Sequence, residues 1–110
     1  MSVKGTGMLT FALALALAPP NPAAIDAPRK AFSSCLKLFE SNQRSAKVAP
    51  DAYSTAVKSA CANEAAALSD ALVKFDVAMG TKRPAAISNA ERDIDDYRMN
   101  SEERYRDSGN

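Results

Sequence analysis

Two cysteines and two sets of carboxylates hold whatever chemistry this sequence can perform. Cys35 and Cys61 stand 26 positions apart. An even cysteine count in a small exported domain reads as a structural disulfide. The sharper alternative is a redox pair, but such pairs sit close together, as in Cys-x-x-Cys, with an exposed thiolate beside positive charge. Here both cysteines fall on apolar stripes, so the crosslink is the preferred reading. Glu64 follows Cys61 by three positions and lies at the edge of the same stripe. It could act as an acid there, or pair with Arg29 or Lys30. A boundary carboxylate reaching water or a lysine is the plainer reading, because an unpaired buried charge is costly.

The stretch "AERDIDDYR", residues 90–98, gathers four carboxylates. Glu91 and Asp95 share a helix face at i, i+4 and could hold a divalent cation weakly through oxygen ligands. The pattern is not an EF-hand loop: the acids lie in a helical stretch and no glycine provides a turn. Arg92 and Arg98 offset part of the charge, with Arg92 and Asp96 spaced to pair. A solvated face is therefore preferred over a metal site. Histidine is absent throughout, which removes the commonest general base and the commonest zinc ligand. No serine or threonine has a partner base, and there is no glycine-rich phosphate loop. We expect no catalytic residue, no cofactor and no enzymatic activity.

These residues need a scaffold, and its first segment is a leader. The run from Met8 to Ala18 is apolar except for Thr10. A membrane-spanning helix needs about 20 apolar residues, and Pro19, Pro20 and Pro22 stop any extension. A positive start at Lys4, a short apolar stretch and a small-residue exit make a secretory signal peptide. We assign it to residues 1–24, with cleavage after Ala24. Ala16 and Ala18 are the alternative cut sites, although Pro19 would hinder the latter. No stable membrane insertion is expected after cleavage. Residues 25–110 then form one helical domain with 13 basic and 13 acidic side chains. A neutral chain has no field for nucleic acid, so none is expected as a partner.

Alanine, leucine, lysine, glutamate and arginine dominate this domain, Gly80 is its one internal glycine, and no alternating run suggests a strand. The composition predicts helix. The first helix is expected over residues 27–44, capped by Asp26, with Phe32, Cys35, Leu36 and Phe39 on one buried face and Leu38 widening it. The second is expected over residues 50–79, starting at Pro50-Asp51 and carrying Tyr53, Val57, Cys61, Leu68, Leu72, Phe75 and Met79. Gly80 supplies its left-handed stop. The third is expected over residues 84–104, with Ile87, Ala90, Ile94 and Tyr97 inward and a polar, frayed C-terminus beyond. Its thinner stripe makes it the expected least stable and most adaptable element.

Cys35 and Cys61 are equidistant from position 48, inside the turn "SAKVAP". In an antiparallel hairpin that symmetry brings them to the same height, where a disulfide can form. The same folding about Thr81 sets Phe75 against Ile87, Leu72 against Ala90 and Leu68 against Ile94. The fold class is all-α: an up-down-up three-helix bundle on a disulfide-linked antiparallel helical hairpin.

Cys35, then Ala49-Pro50-Asp51-Ala52-Tyr53, then Cys61-Ala62-Asn63-Glu64, then Met79-Gly80 together resemble small exported all-helical two-cysteine bacterial proteins of unknown function. The resemblance implies a periplasmic or secreted helical domain and transfers no activity. The expected function is that of a non-enzymatic periplasmic interaction or stress-related protein. Its partner is an unidentified protein, or a second copy in a homodimer. The alternative is a weak divalent-metal or small-ligand binder using the acidic face of the third helix.

Overall fold

The computed structural model of the protein describes residues 20–108. Residues 1–19 of the expected signal peptide therefore lie outside the described residues, as do cut sites Ala16 and Ala18, whereas Ala24, the preferred cut site, is helical. Four helices follow one another: α1 (Ala23–Ser45), α2 (Pro50–Val57), α3 (Ala62–Ala78) and α4 (Arg83–Ser108). No strand occurs among the described residues.

α1 starts earlier than the position expected from Asp26. Pro22 is its N-cap residue and Asp26 falls within the first turn, while the side-chain oxygen of Asn21, just before the cap, accepts the N–H of Ala23 at 3.0 Å. The helix ends where Lys47 turns left-handed, at φ 58°. Val48 N–H then reaches back to Gln43 C=O at 3.0 Å and Lys47 N–H to Arg44 C=O at 2.9 Å. That bonding pattern normally places glycine at the left-handed position; here a lysine occupies it.

The single helix expected over residues 50–79 is two helices. After Val57 the chain tightens: Ser59 N–H bonds Ala56 C=O at 3.3 Å and Ala60 N–H bonds Val57 C=O at 3.2 Å. Cys61 then adopts a left-handed conformation, φ 57° and ψ 43°, and α3 begins with Ala65 N–H on Cys61 C=O at 2.9 Å. A break leaves helical carbonyls without partners. One is satisfied across the fold, where the Arg98 guanidinium donates to Ala60 C=O at 2.9 Å. At the far end of α3 the expected stop holds. Gly80 is left-handed, at φ 102°, and Thr81 N–H closes onto Asp76 C=O at 2.9 Å.

The core joins Phe32 and Leu36 of α1, Tyr53 and Val57 of α2, Leu68, Leu72 and Val73 of α3, and Ala86, Ala90, Ile94 and Tyr105 of α4. Three expected core positions are corrected. Leu38 is 64% exposed, Met79 63% and Ile87 42%. At about 100° per residue, Leu38 lies far around the helix from Leu36. Ile87 is turned about 100° off the row Ala86–Ala90–Ile94, which forms the buried face instead. α4 also continues to Ser108 rather than ending near Arg104, with Ser101 and Tyr105 both buried. The disulfide forms as expected: Cys35 and Cys61 are bonded, with their Cα atoms 6.1 Å apart.

Candidate functional site

Chemistry-bearing side chains gather at three places. The first lies among α1, α2 and the last turns of α4. Glu40 occurs at i+8 from Phe32 and i+4 from Leu36, so the helix period carries it onto their buried face, where it is only 4% exposed. Ser101, seven positions (two helical turns) after Ile94, and Tyr105, four further on, continue the buried row of α4 and are buried with it. The Ser101 hydroxyl donates to Glu40 Oε2 at 2.6 Å. Having used its one proton there, it accepts from the Tyr53 phenol, also at 2.6 Å. From the opposite side Arg104 donates its Nε to Glu40 Oε1 at 3.2 Å and a second nitrogen to Oε2. This is a bidentate clamp, the stronger kind of carboxylate contact. Arg44 adds a longer ion pair to Glu40 at 3.9 Å.

The electrostatics follow from these partners. Burial alone would raise the Glu40 carboxyl, but the hydrogen bonds from Arg104 and Ser101 and the charges of Arg104 and Arg44 outweigh it. Its pKa therefore falls below the ordinary glutamate value. Burial pushes the Tyr53 phenol above its ordinary value, with its bond to Ser101 opposing in part. Arg104 is raised, chiefly through its hydrogen bond to Glu40. The Tyr53 ring stacks on that of Tyr105 at 3.9 Å, with planes 2° apart, and the Tyr105 phenol donates to Val48 C=O. Nε of Arg44 and Nε of Arg98 are buried without a hydrogen-bond partner among the described residues. Both guanidinium groups lie over rings, Arg44 over Tyr105 at 5.3 Å and Arg98 over Phe32 at 5.5 Å, which recovers part of that loss. The Ser101 hydroxyl is fully buried and committed to Glu40, so this cluster fastens α1, α2 and α4 together.

The second place is the disulfide. Cys35, Cys61 and Glu64 are each half-buried, and their sulfur and carboxylate atoms all lie within 4.8 Å of one another. The alternative pairing of Glu64 with Arg29 or Lys30 does not occur among the described residues. Arg29 instead donates to the Tyr97 phenol at 2.8 Å and pairs with Asp93 at 3.8 Å.

The third place is the acidic face of α4. Glu91 and Asp95 line one open groove of about 490 Å³, together with Ser69 of α3 and Arg98. No third metal-ligating side chain joins them among the described residues. Arg92 and Asp96, expected to pair, are not within ion-pair distance; the ion pair in this stretch is that of Asp93 with Arg29.

Sequence reasoning located the cysteines, Glu64, Glu91 and Asp95 but missed the Glu40–Ser101–Tyr53–Arg104 cluster. The signal was present: a charged or hydroxyl residue continuing an apolar row at the helical period. No helix among the described residues is long and apolar enough to cross a membrane. Comparison with known protein families, curated proteins and solved structures finds no match to this chain.

Proposed function

We propose that this chain is an exported, non-enzymatic helical protein of the periplasmic or secreted type that works by binding a protein partner through α4. The observation that carries the reading is the Cys35–Cys61 crosslink, which needs an oxidising compartment to persist and agrees with a leader built like a signal peptide. A further support is that Glu40, Ser101, Tyr53 and Arg104 bond one another, which leaves the groups of α4's outer face for recognition.

The proposal includes the topology. α2 and α3 are two halves of one arm, giving an up-down-up three-helix bundle. Contacts of α4 with α1 advance together, from Arg29–Tyr97 through Glu40–Ser101 to Arg44–Ser108. Contacts of α4 with the middle arm run in reverse, Tyr53 meeting Ser101 and Ala60 meeting Arg98.

The test has two steps. Protein recovered from the periplasmic fraction of a Gram-negative host should begin near Ile25 and carry no free thiol; intact Met1 in the membrane fraction would overturn export. Crosslinking in periplasmic extract should then recover a protein that the double variant Glu91→Lys/Asp95→Lys loses. Unchanged capture by that variant would rule out this face. Light scattering decides whether the partner is a second copy. The second reading is weak divalent-metal or small-ligand binding in the groove beside Glu91 and Asp95, favoured by their shared position there. Calorimetry with calcium, magnesium and zinc separates it from the first.

A further inference from the structure

Glu64 is a half-buried carboxylate set against two sulfurs, and no hydrogen bond or ion pair engages it among the described residues. We propose that Cys35, Cys61 and Glu64, once their disulfide is reduced, form a binding site for one thiophilic divalent cation of the zinc class.

The geometry is close to what such an ion needs. Thiolate and carboxylate bonds of about 2.3 Å and 2.0–2.2 Å in a tetrahedron set ligand atoms roughly 3.5–3.8 Å apart. The two sulfurs are bonded to each other and the Glu64 carboxylate lies within 4.8 Å of both, so once the bond is cut the sulfurs must part to the metal spacing while the carboxylate is already at hand. Cys61 and Glu64 are spaced as Cys-x-x-Glu. The interruption between α2 and α3 places Cys61 at the cap of α3 and Glu64 in its first turn. Cys35 arrives from α1. Two thiolates and a carboxylate select a soft or borderline cation and disfavour calcium and magnesium, which take oxygen ligands. Their combined charge exceeds that of the cation by one, and the positive end of the α3 dipole opposes this excess. Three protein ligands leave a fourth position for water, the arrangement of an open site.

Reduction is supplied by a dithiol. It transfers two electrons and two protons to the Cys35–Cys61 bond, becomes a disulfide itself, and leaves two thiols. Both thiols then release their protons to solvent as two metal–sulfur bonds and one metal–oxygen bond form. The cation does not change oxidation state. Reoxidation by a disulfide of the same class reverses the sequence and expels the ion.

The experiment uses the full protein, reduced anaerobically, freed of reductant and titrated with cadmium as a spectroscopic probe, then with zinc in competition. The expected result is a thiolate-to-metal charge-transfer band that saturates at one cadmium per chain and is displaced by zinc. The oxidised protein should show no band. Glu64→Gln should weaken binding by at least about 10-fold, the lower limit for losing even an outer partner of a metal site. Circular dichroism recorded throughout covers the case in which the reduced chain loses structure, where cadmium should restore helicity in the native sequence and less so in Glu64→Gln. Binding that is indifferent to Glu64→Gln would show two free thiols acting alone and overturn the proposal. So would equal binding by the oxidised protein, or no binding by the reduced one.

Discussion

Replacing Ser101 by alanine removes one oxygen atom from the interior and is expected to loosen the whole bundle. The hydroxyl is fully buried. It accepts from Tyr53 at 2.6 Å and donates to Glu40 at 2.6 Å, so its loss affects one group on α2 and one on α1. The Tyr53 phenol, 1% exposed, would be left without its acceptor, and an orphaned buried polar group costs about 1–3 kcal/mol. Glu40 keeps Arg104 but loses a bond to its charged oxygen, a contact worth about 1.5–3 kcal/mol. These effects overlap, so we expect a net loss of about 2–4 kcal/mol, or at least about 8 °C in melting temperature for a domain of this size. Urea unfolding followed by circular dichroism, with an unchanged slope against denaturant, measures it. The decisive comparison adds Tyr53→Phe. In the native background that change should destabilise by about 0.5–1.5 kcal/mol, the net worth of one hydrogen bond. In Ser101→Ala it removes the orphaned hydroxyl and should stabilise. If Ser101→Ala lies within about 0.5 kcal/mol of the native protein, as a neutral surface change would, the network does not hold the helices. The same follows if Tyr53→Phe has equal effects in both backgrounds.

The lowered pKa of Glu40 means that its contribution to stability is fully present above the ordinary glutamate value and is lost as pH falls through the folded value. The native protein should therefore lose stability below about pH 4.5, and Glu40→Gln, already weaker at neutral pH, should show a shallower acid dependence in thermal melts from pH 7 to pH 2. Lys47 is left-handed and exposed at the end of α1, where a side chain costs about 1–2 kcal/mol relative to glycine. Lys47→Gly should raise stability by up to about 1 kcal/mol after the added freedom of the unfolded chain is counted; a lower melting temperature would contradict that backbone argument.

The parts of the fold legible in the sequence were those written in residue types with one strong meaning. Pro50 begins a helix, Gly80 ends one, and two cysteines equidistant from a turn meet across it. The interruption at residues 58–61 was not legible because "KSAC" contains neither glycine nor proline. The signal that a helix stops there comes from the crosslink at Cys61 and from Arg98 bonding Ala60, both tertiary. The end of α1, by contrast, was legible from the turn "SAKVAP", although a lysine stands at the left-handed position where glycine is usual. The end of α4 was misread for a different reason. "SEERYRDS" is polar in composition, yet Ser101 and Tyr105 occupy the inward row while, between them, Glu103 is exposed and Arg104 reaches in to Glu40. Composition averaged over the segment hid a periodicity that individual positions carry. For the site, the apolar stripe led to the cysteines, while treating charge as a mark of the surface excluded Glu40 from the core.

The order in which the chain emerges gives the Glu40 cluster a further meaning. Cys35, Glu40, Tyr53 and Cys61 all appear before α4 begins, so the covalent tie can close while the later partners of Glu40 are still unmade. Ser101 and Arg104 arrive last, on the closing turns of the final helix. A chain halted before Ser101 would keep its crosslink but leave the Glu40 carboxylate with only the distant Arg44, 3.9 Å away, and would leave the Tyr53 phenol with no acceptor. It would hold its glutamate toward water and refuse to bury it. Commitment and completion are thus separated in time: the sulfur bond fixes which segments stay together, and the last helical turns decide whether the interior closes. A protease that samples open chains would therefore distinguish finished molecules from unfinished ones by their final turns, whatever their thiol state.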